Sequence, residues 1–531
     1  MPGIENNNVF KFKVLEIFAV SFFLFFITYN LFFGQKIDVG NGLGFFDGAA
    51  TGLMFKHFGI LLKTHTFDFY QLQHIFPNMG FYITTKIFHI PITDHTLLIG
   101  AIITNYVFLL IGLLFFYLCA YKLQQPVRIM IFSGMFLNFA VLKFSGYYTL
   151  IPDTAAFSLG VLLLYSYLKE NKILFLLTAL AGSFTFPTFA LLGLLLFCFE
   201  LNTPMKKVIN HNNYNRYIPI LIALTVVFSS VAISLHYYQL FGATFSPIPH
   251  YLTILFDHTI SLLKPIFSPS EFNYLNGILE NSITSINYKF YLFSLIVLYF
   301  YMYYAQKQLF ANISIKDIFS RLKLKKALIY IILIYGVSFL IKYFYCTTGV
   351  GYSKKEYFFT ISYEAIVNPI CFLVMHFVYY GPIILLFLIL FKEFIAQIKA
   401  SSAGLFLLTV FSFIVAIDSE SRHLLNVIPI LIFFLGVSIN QNKGIIEKLT
   451  PRFLTFFVGL SLFNSCFWLK IRLPAQLPNS ASTQLFQEFP FQSYFMFHGP
   501  WTSHDMCYIF LAIFLTFLIG FYTYLKTSFC R

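Results

Sequence analysis

The chain has 531 residues, 58% of them hydrophobic and 11% charged, with a mean hydropathy of +0.76. Soluble domains carry roughly 25% charged residues, so a soluble globular protein is excluded and a polytopic membrane protein is expected. The net charge of +14 excludes little by itself, but its placement excludes nucleic acid as the partner. Most Lys and Arg fall in short connections on alternate sides of the apolar runs, as the positive-inside rule requires.

The first apolar run, residues 14–33, follows Lys11 and Lys13 and has no small-residue cleavage site after it. It reads as a retained anchor rather than a removed signal peptide. The next stretch, 34–95, forms the first outer loop. It contains Gly42-Leu43-Gly44-Phe45-Phe46-Asp47-Gly48, where one carboxylate sits among glycines and aromatics. Asp47 is the residue expected to do chemistry; the alternative is an acid that caps the amphipathic run after it. Residues 49–62 and 69–90 both carry apolar residues at helical spacing, which predicts two helices lying in the membrane interface.

Runs long enough to cross a hydrocarbon core of about 30 Å follow near 96–121, 127–145, 150–168, 217–241, 289–305, 328–345, 368–391, 403–418, 423–439, 453–469 and 506–525. Residues 172–200 are too long for one ordinary span and are broken at Pro187, so two short helices meeting at the outer face are expected there. The reading is an all-α membrane protein of about 12–14 transmembrane helices, both termini cytoplasmic in the plasma membrane. An N-terminal module, 1–241, precedes a C-terminal one, 242–531. Outer loops are expected at 34–95, 242–288, 347–367, 418–421 and 471–505. They hold most of the carboxylates and His, so any active site is expected on the outer side.

Seven Cys are scattered without C-x-x-C or His/Cys metal spacing, which implies neither a disulfide framework nor a zinc site. Cys466 and Cys507 would lie near one outer face, where an oxidising side and close Cα atoms are what a bridge needs. His498, His504 and Asp505 are residue types that bind a divalent cation, although Trp501 beside them reads as an interface anchor. A P-loop and a dinucleotide turn are both missing from the sequence, which argues against nucleotide hydrolysis as the driving force.

The order of motifs resembles a known group. Phe46-Asp47-Gly48 is followed by Phe69-Tyr70-Gln71-Leu72-Gln73-His74-Ile75-Phe76-Pro77, by Gly146-Tyr147-Tyr148 with Ile151-Pro152-Asp153-Thr154, by Ser183-Phe184-Thr185-Phe186-Pro187-Thr188, and by Glu420-Ser421-Arg422-His423-Leu424-Leu425-Asn426-Val427-Ile428-Pro429. This series is similar to the aspartate loop, the aromatic segment ending in Pro, the Pro-Thr break and the Arg-His/Tyr-Leu-Leu helix start of bacterial multispanning glycosyltransferases of the GT-C superfamily. The likeness covers roughly the first 200 residues and the segment around Arg422. It departs where His74 and Phe186 replace the usual cations.

The resemblance implies a GT-C-like fold and transfer of a sugar from a polyprenyl-phosphate carrier to a lipid or glycan acceptor. A divalent cation is the one helper it leaves room for. Asp47 would take the hydroxyl proton, and Arg422 would steady the carrier phosphate with its planar paired donors. His74, Asp38, Asp153 and His423 are the further substrate-binding candidates. Each has a plainer reading: Arg422 as a cation paired with Asp418 or Glu420, Asp153 as a helix cap after Pro152, His74 as a packed residue and Asp38 as a loop residue held by Lys36. Two other functions share the membrane setting, a flippase or transporter of a lipid-linked glycan and a polymerase of such glycans. Few charges fall mid-span and no convincing internal repeat is present, which favours the enzyme over the transporter.

Overall fold

The computed structural model describes residues 2–34, 36, 47–201, 288–310, 313, 315–347, 371–418, 420–466 and 504–526. Among these, every regular element is helical apart from one isolated β-bridge between Phe67 and Cys346. Among the described residues, four helices carry apolar stretches long enough to cross a membrane: Val9–Phe32, Asp94–Ala120, Leu324–Tyr345 and Ile509–Lys526. A fifth crossing forms if Gln125–Phe136 and Ala140–Tyr147, bent by 46°, count as one. A helix that rises about 1.5 Å per residue needs about 20 residues to span. Asp153–Leu168, Lys172–Ser183, Cys371–Tyr380, Ala403–Val415 and Ile428–Asn440 are apolar but have 10–17 residues.

The breaks have local causes. The run expected at 368–391 is cut at Gly381 and Pro382, where Gly381 takes φ +75° and a helix ends at Tyr380 before another begins at Ile383. Pro382 has no N–H for the Val378 carbonyl four residues back. Asn464 supplies the donor instead, its Nδ2 lying 2.7 Å from that oxygen. In the bent pair, Asn138 does similar work. Its side chain donates to the carbonyls of Gly134 and Met135 and accepts from the Val141 N–H, and a π-turn, Ala140–Phe144, follows. Side chains inserted into the backbone ladder and π-turns are ordinary sources of helix kinks.

The two stretches expected to be helical in the first loop are helical, with altered bounds. Asp47–Thr64 forms one, while the second is divided into Phe69–Leu72, capped by Asp68, and Phe76–Ile87, with Pro77 in its first turn. Met54, Phe55, Phe58, Phe67 and Leu72 give these pieces a small core of their own, closed by Leu97 and Leu150.

The larger core runs from Ala19 to Leu525 and draws on both expected modules. In a bilayer, close packing rather than water exclusion holds helices together, and small residues permit it. Gly160 and Gly404 are such points: a Cβ on either would lie 2.4 Å from the carbonyl oxygen of Asn426 or Leu195, respectively.

One set of polar links lies at the end of the bundle away from the first-loop helices. Arg128 grips Glu16 with Nε and Nη2, at 2.5 and 2.8 Å. Lys526 reaches Glu393 at 3.0 Å, and Lys323 and Lys326 flank Glu200. The first-loop helices sit at the opposite end. There Phe67 exchanges backbone hydrogen bonds with Tyr345 and Thr347, and His65 stacks on Tyr345 at 5.0 Å. The helix so fastened, Leu324–Tyr345, has only 11% of its apolar window buried.

Candidate functional site

The connection between Ala403–Val415 and Ile428–Asn440 carries Asp418, Glu420, Arg422 and His423 within one short turn region. Asp418 is buried and organises it: Oδ1 accepts the Glu420 N–H at 2.8 Å, and Oδ2 lies 2.5 Å from His423 Nδ1. Glu420 contacts both cations, Arg422 through Nε and His423 Nε2 at 3.6 Å. Across from the turn, Asp153 is the first residue of the helix Asp153–Leu168, with Oδ2 3.8 Å from Arg422 Nη1. A carboxylate there also faces the positive end of the helix dipole. Pro152, not Asp153, holds the cap position.

Burial pulls the His423 pKa down, but the carboxylates of Glu420 and Asp418 outweigh it, and the value rises above the ordinary histidine range. The turn therefore sets Arg422 beside an imidazole whose protonated form the carboxylates favour. Among the described residues, Asp153, Asp418 and Glu420 face these two groups.

The turn is fixed by residues that a sequence reading passes over. His376 Nε2 lies 2.7 Å from the Ala416 carbonyl, which can only accept, so that nitrogen carries the ring proton and Nδ1 of the neutral ring accepts from Ser421 Oγ at 2.8 Å. Tyr380 donates to the Ser421 carbonyl at 2.6 Å. Asn426 donates to Thr188 Oγ1 at 2.8 Å, and the Phe186 ring lies 6.4 Å from that of His423. The Pro-Thr break and the Arg422 turn are thus in contact.

The other motif segments join the same end. Phe76 N–H donates to the Phe184 carbonyl at 2.9 Å, which ties the aromatic segment to the Pro187 break. Gly48 N–H donates to the Tyr148 hydroxyl at 3.0 Å, so a donor from the first turn of Asp47–Thr64 is satisfied by the Gly146-Tyr147-Tyr148 segment. Phe144 lies against both Tyr148 and Tyr379, at 6.1 and 5.8 Å.

Of the expected site residues, Arg422, His423 and Asp153 come together. Asp47 opens its helix, its side chain lying outside the described residues, as do Asp38, His498, Trp501 and the side chains of Cys466, His504, Asp505 and Cys507. His74 is buried and held locally: its Nδ1 lies 2.8 Å from the Tyr70 carbonyl and its ring packs 4.4 Å from that of Tyr70. Lys36 donates to the Asn30 carbonyl at 2.6 Å. Among the described residues no group of three His, Cys, Asp or Glu is placed to hold a metal ion.

No protein-family model, curated protein or solved structure matches the chain. Fold and site together define a class in physical terms: among the described residues, an all-helical protein with helices long and apolar enough to cross a membrane, and a half-buried cluster of carboxylates, guanidinium and imidazole where its helix connections meet the first-loop helices.

Proposed function

We propose that this protein is an integral membrane glycosyltransferase of GT-C type, acting on the outer face of a plasma membrane. It transfers a sugar from a polyprenyl-phosphate carrier to a lipid or glycan acceptor. The observation that supports the reading is the convergence of segments that lie far apart in the chain. Those around Gly48, Phe76, Tyr148, Asp153, Phe184 to Thr188, and Glu420 to Asn426 are linked through named contacts at one end of the bundle. In this reading the short apolar helices combine into further crossings, giving about 12–14 in all, with the basic end cytoplasmic.

The chemistry assigns roles as follows. The acceptor hydroxyl attacks the sugar carbon, Asp47 takes its proton, and the bond from that carbon to the carrier phosphate oxygen breaks. Arg422 and protonated His423 meet the departing phosphate, since donors fixed in advance stabilise developing charge without reorganising. Arg422 already pairs with Glu420 and approaches Asp153, so the phosphate would reach the guanidinium by replacing a carboxylate. Glu420, with a side chain 10% exposed against 3% for Asp153, is the one placed to yield.

A half-buried cluster of charges with a His is also what a proton-coupled carrier of lipid-linked glycans would use. Reconstitution in proteoliposomes with polyprenyl-phosphate sugars distinguishes the two. We expect transfer by the wild type, its loss in Asp47→Asn with donor binding retained, and weakened donor binding in Arg422→Ala. Movement of labelled lipid between leaflets without transfer from any donor would sink the enzyme in favour of the carrier.

A further inference from the structure

We infer that an anionic phospholipid from the leaflet at the basic end occupies a groove between the N-terminal helix, Pro2–Phe32, and the helices Pro451–Cys466 and His504–Lys526. This site is separate from the Arg422 cluster and does not depend on the proposed reaction. The groove has a volume of about 820 Å³, ample for part of a lipid, and two kinds of residue line it. Lys11 and Arg452, both exposed, supply positive charge, while Phe453, Phe456, Phe517 and Phe521 make an aromatic wall. The described lining contains no carboxylate. A phosphate at the level of the two cations with an acyl chain along the phenylalanines satisfies both parts when the head group is anionic, whereas a zwitterionic head group brings its own cation beside Lys11 and Arg452, where the described lining has no carboxylate to meet it.

The groove is built rather than incidental. Phe453 stacks on Tyr524 at 5.0 Å, and Phe456 lies 6.1 Å from both Phe517 and Phe521, which fixes the wall. Tyr524 donates to the Lys448 carbonyl at 2.8 Å, and Lys448 reaches the Leu525 carbonyl, so the helix end and the adjoining connection are tied together. Phe456 is nonetheless 49% exposed, a large apolar side chain that lipid rather than protein covers. Basic pockets between membrane helices on the cytoplasmic side are suited to anionic head groups.

Gly520 provides a test that spares the fold, because a Cβ there meets nothing within 4 Å. Purified protein would be compared by native mass spectrometry and by melting in nanodiscs, using phosphatidylglycerol and phosphatidylcholine with identical acyl chains. The wild type should retain phosphatidylglycerol with a preference on the order of tenfold. Lys11→Gln with Arg452→Gln should bring that preference close to one without lowering the melting point in phosphatidylcholine. Gly520→Leu, which fills the groove beneath intact cations, should reduce retention of both lipids. Equal retention of the two lipids by the wild type overturns the proposal. So does a preference that survives the double substitution, or retention unchanged by Gly520→Leu.

Discussion

Gly160→Ala is the smallest change that tests whether the site depends on close backbone approach. The added methyl would lie 2.4 Å from the Asn426 carbonyl oxygen, where ordinary contact begins at 3.4 Å. The helix carrying Asp153 and the connection carrying Arg422 must therefore separate by about 1 Å. Both partners are backbone, so neither can turn aside as a flexible side chain would. Overpacking of this kind costs about 1–3 kcal/mol, and the better helix propensity of Ala returns up to about 1 kcal/mol, so a net loss of about 1–2 kcal/mol is expected. Gly404→Ala, which meets the Leu195 carbonyl at the same 2.4 Å, should destabilise by a similar amount. Gly459→Ala, in a helix interior with nothing within 4 Å, should be neutral or slightly stabilising. Thermal unfolding in nanodiscs ranks the three, and donor binding separates the first two, because only Gly160→Ala widens the 3.8 Å approach of Asp153 to Arg422. Gly160→Ala melting with Gly459→Ala, or binding donor as well as Gly404→Ala does, would show that the site does not depend on this backbone approach.

The remaining predictions concern the Arg422 turn. Because the folded-state pKa of His423 is raised, its stabilising contribution is fully present below the unfolded value of about 6.5 and is lost as pH rises through the folded value. Melting points measured from pH 6 upward should fall in the wild type and stay flatter in His423→Gln. Arg422→Ala leaves Asp153 and Glu420 facing each other; removing one partner of a buried pair costs about 3–5 kcal/mol. Since the Arg422 side chain is 22% exposed, about 1–3 kcal/mol is expected, and urea or thermal unfolding reads it. Arg422→Lys should recover part of that stability but little donor binding, since an ammonium lacks the paired planar donors. Tyr380→Phe removes the donor to the Ser421 carbonyl and should cost about 1 kcal/mol, visible as faster hydrogen exchange across 416–424.

How far the sequence reached can be judged residue by residue. Arg422 stands out in the sequence as a cation close to Asp418 and Glu420, and the structure pairs it with Glu420 and, on another helix, with Asp153. Asp153 reads as a helix start, but its pairing with Arg422 is invisible because no local pattern links positions on different helices. His376 and Tyr380 are hidden for another reason. They lie in a run buried all round, where one polar side chain breaks no periodicity. The divided first-loop helix had its signal in Pro77 and Asp68, and the cut at 381–382 had its signal in Gly-Pro. Hydropathy averaged over a whole span hides such breaks. The π-turn at Ala140–Phe144 carries no comparable mark, since it follows from how Asn138 bonds to its own backbone.

The fastening of Phe67 to the end of Leu324–Tyr345 links the first loop to the thickness of the surrounding bilayer. Only 11% of that helix's apolar window is buried by protein, so in the membrane reading proposed above it meets acyl chains along most of its surface. A thinner or thicker bilayer is accommodated by tilt, at a modest cost per ångström. Tilt moves the end of a helix most, and this end shares a backbone bridge with the loop that leads from Asp47–Thr64 toward His74. Acyl-chain length in a reconstitution is therefore a mechanical variable, able to shift the position of the loop without altering any residue.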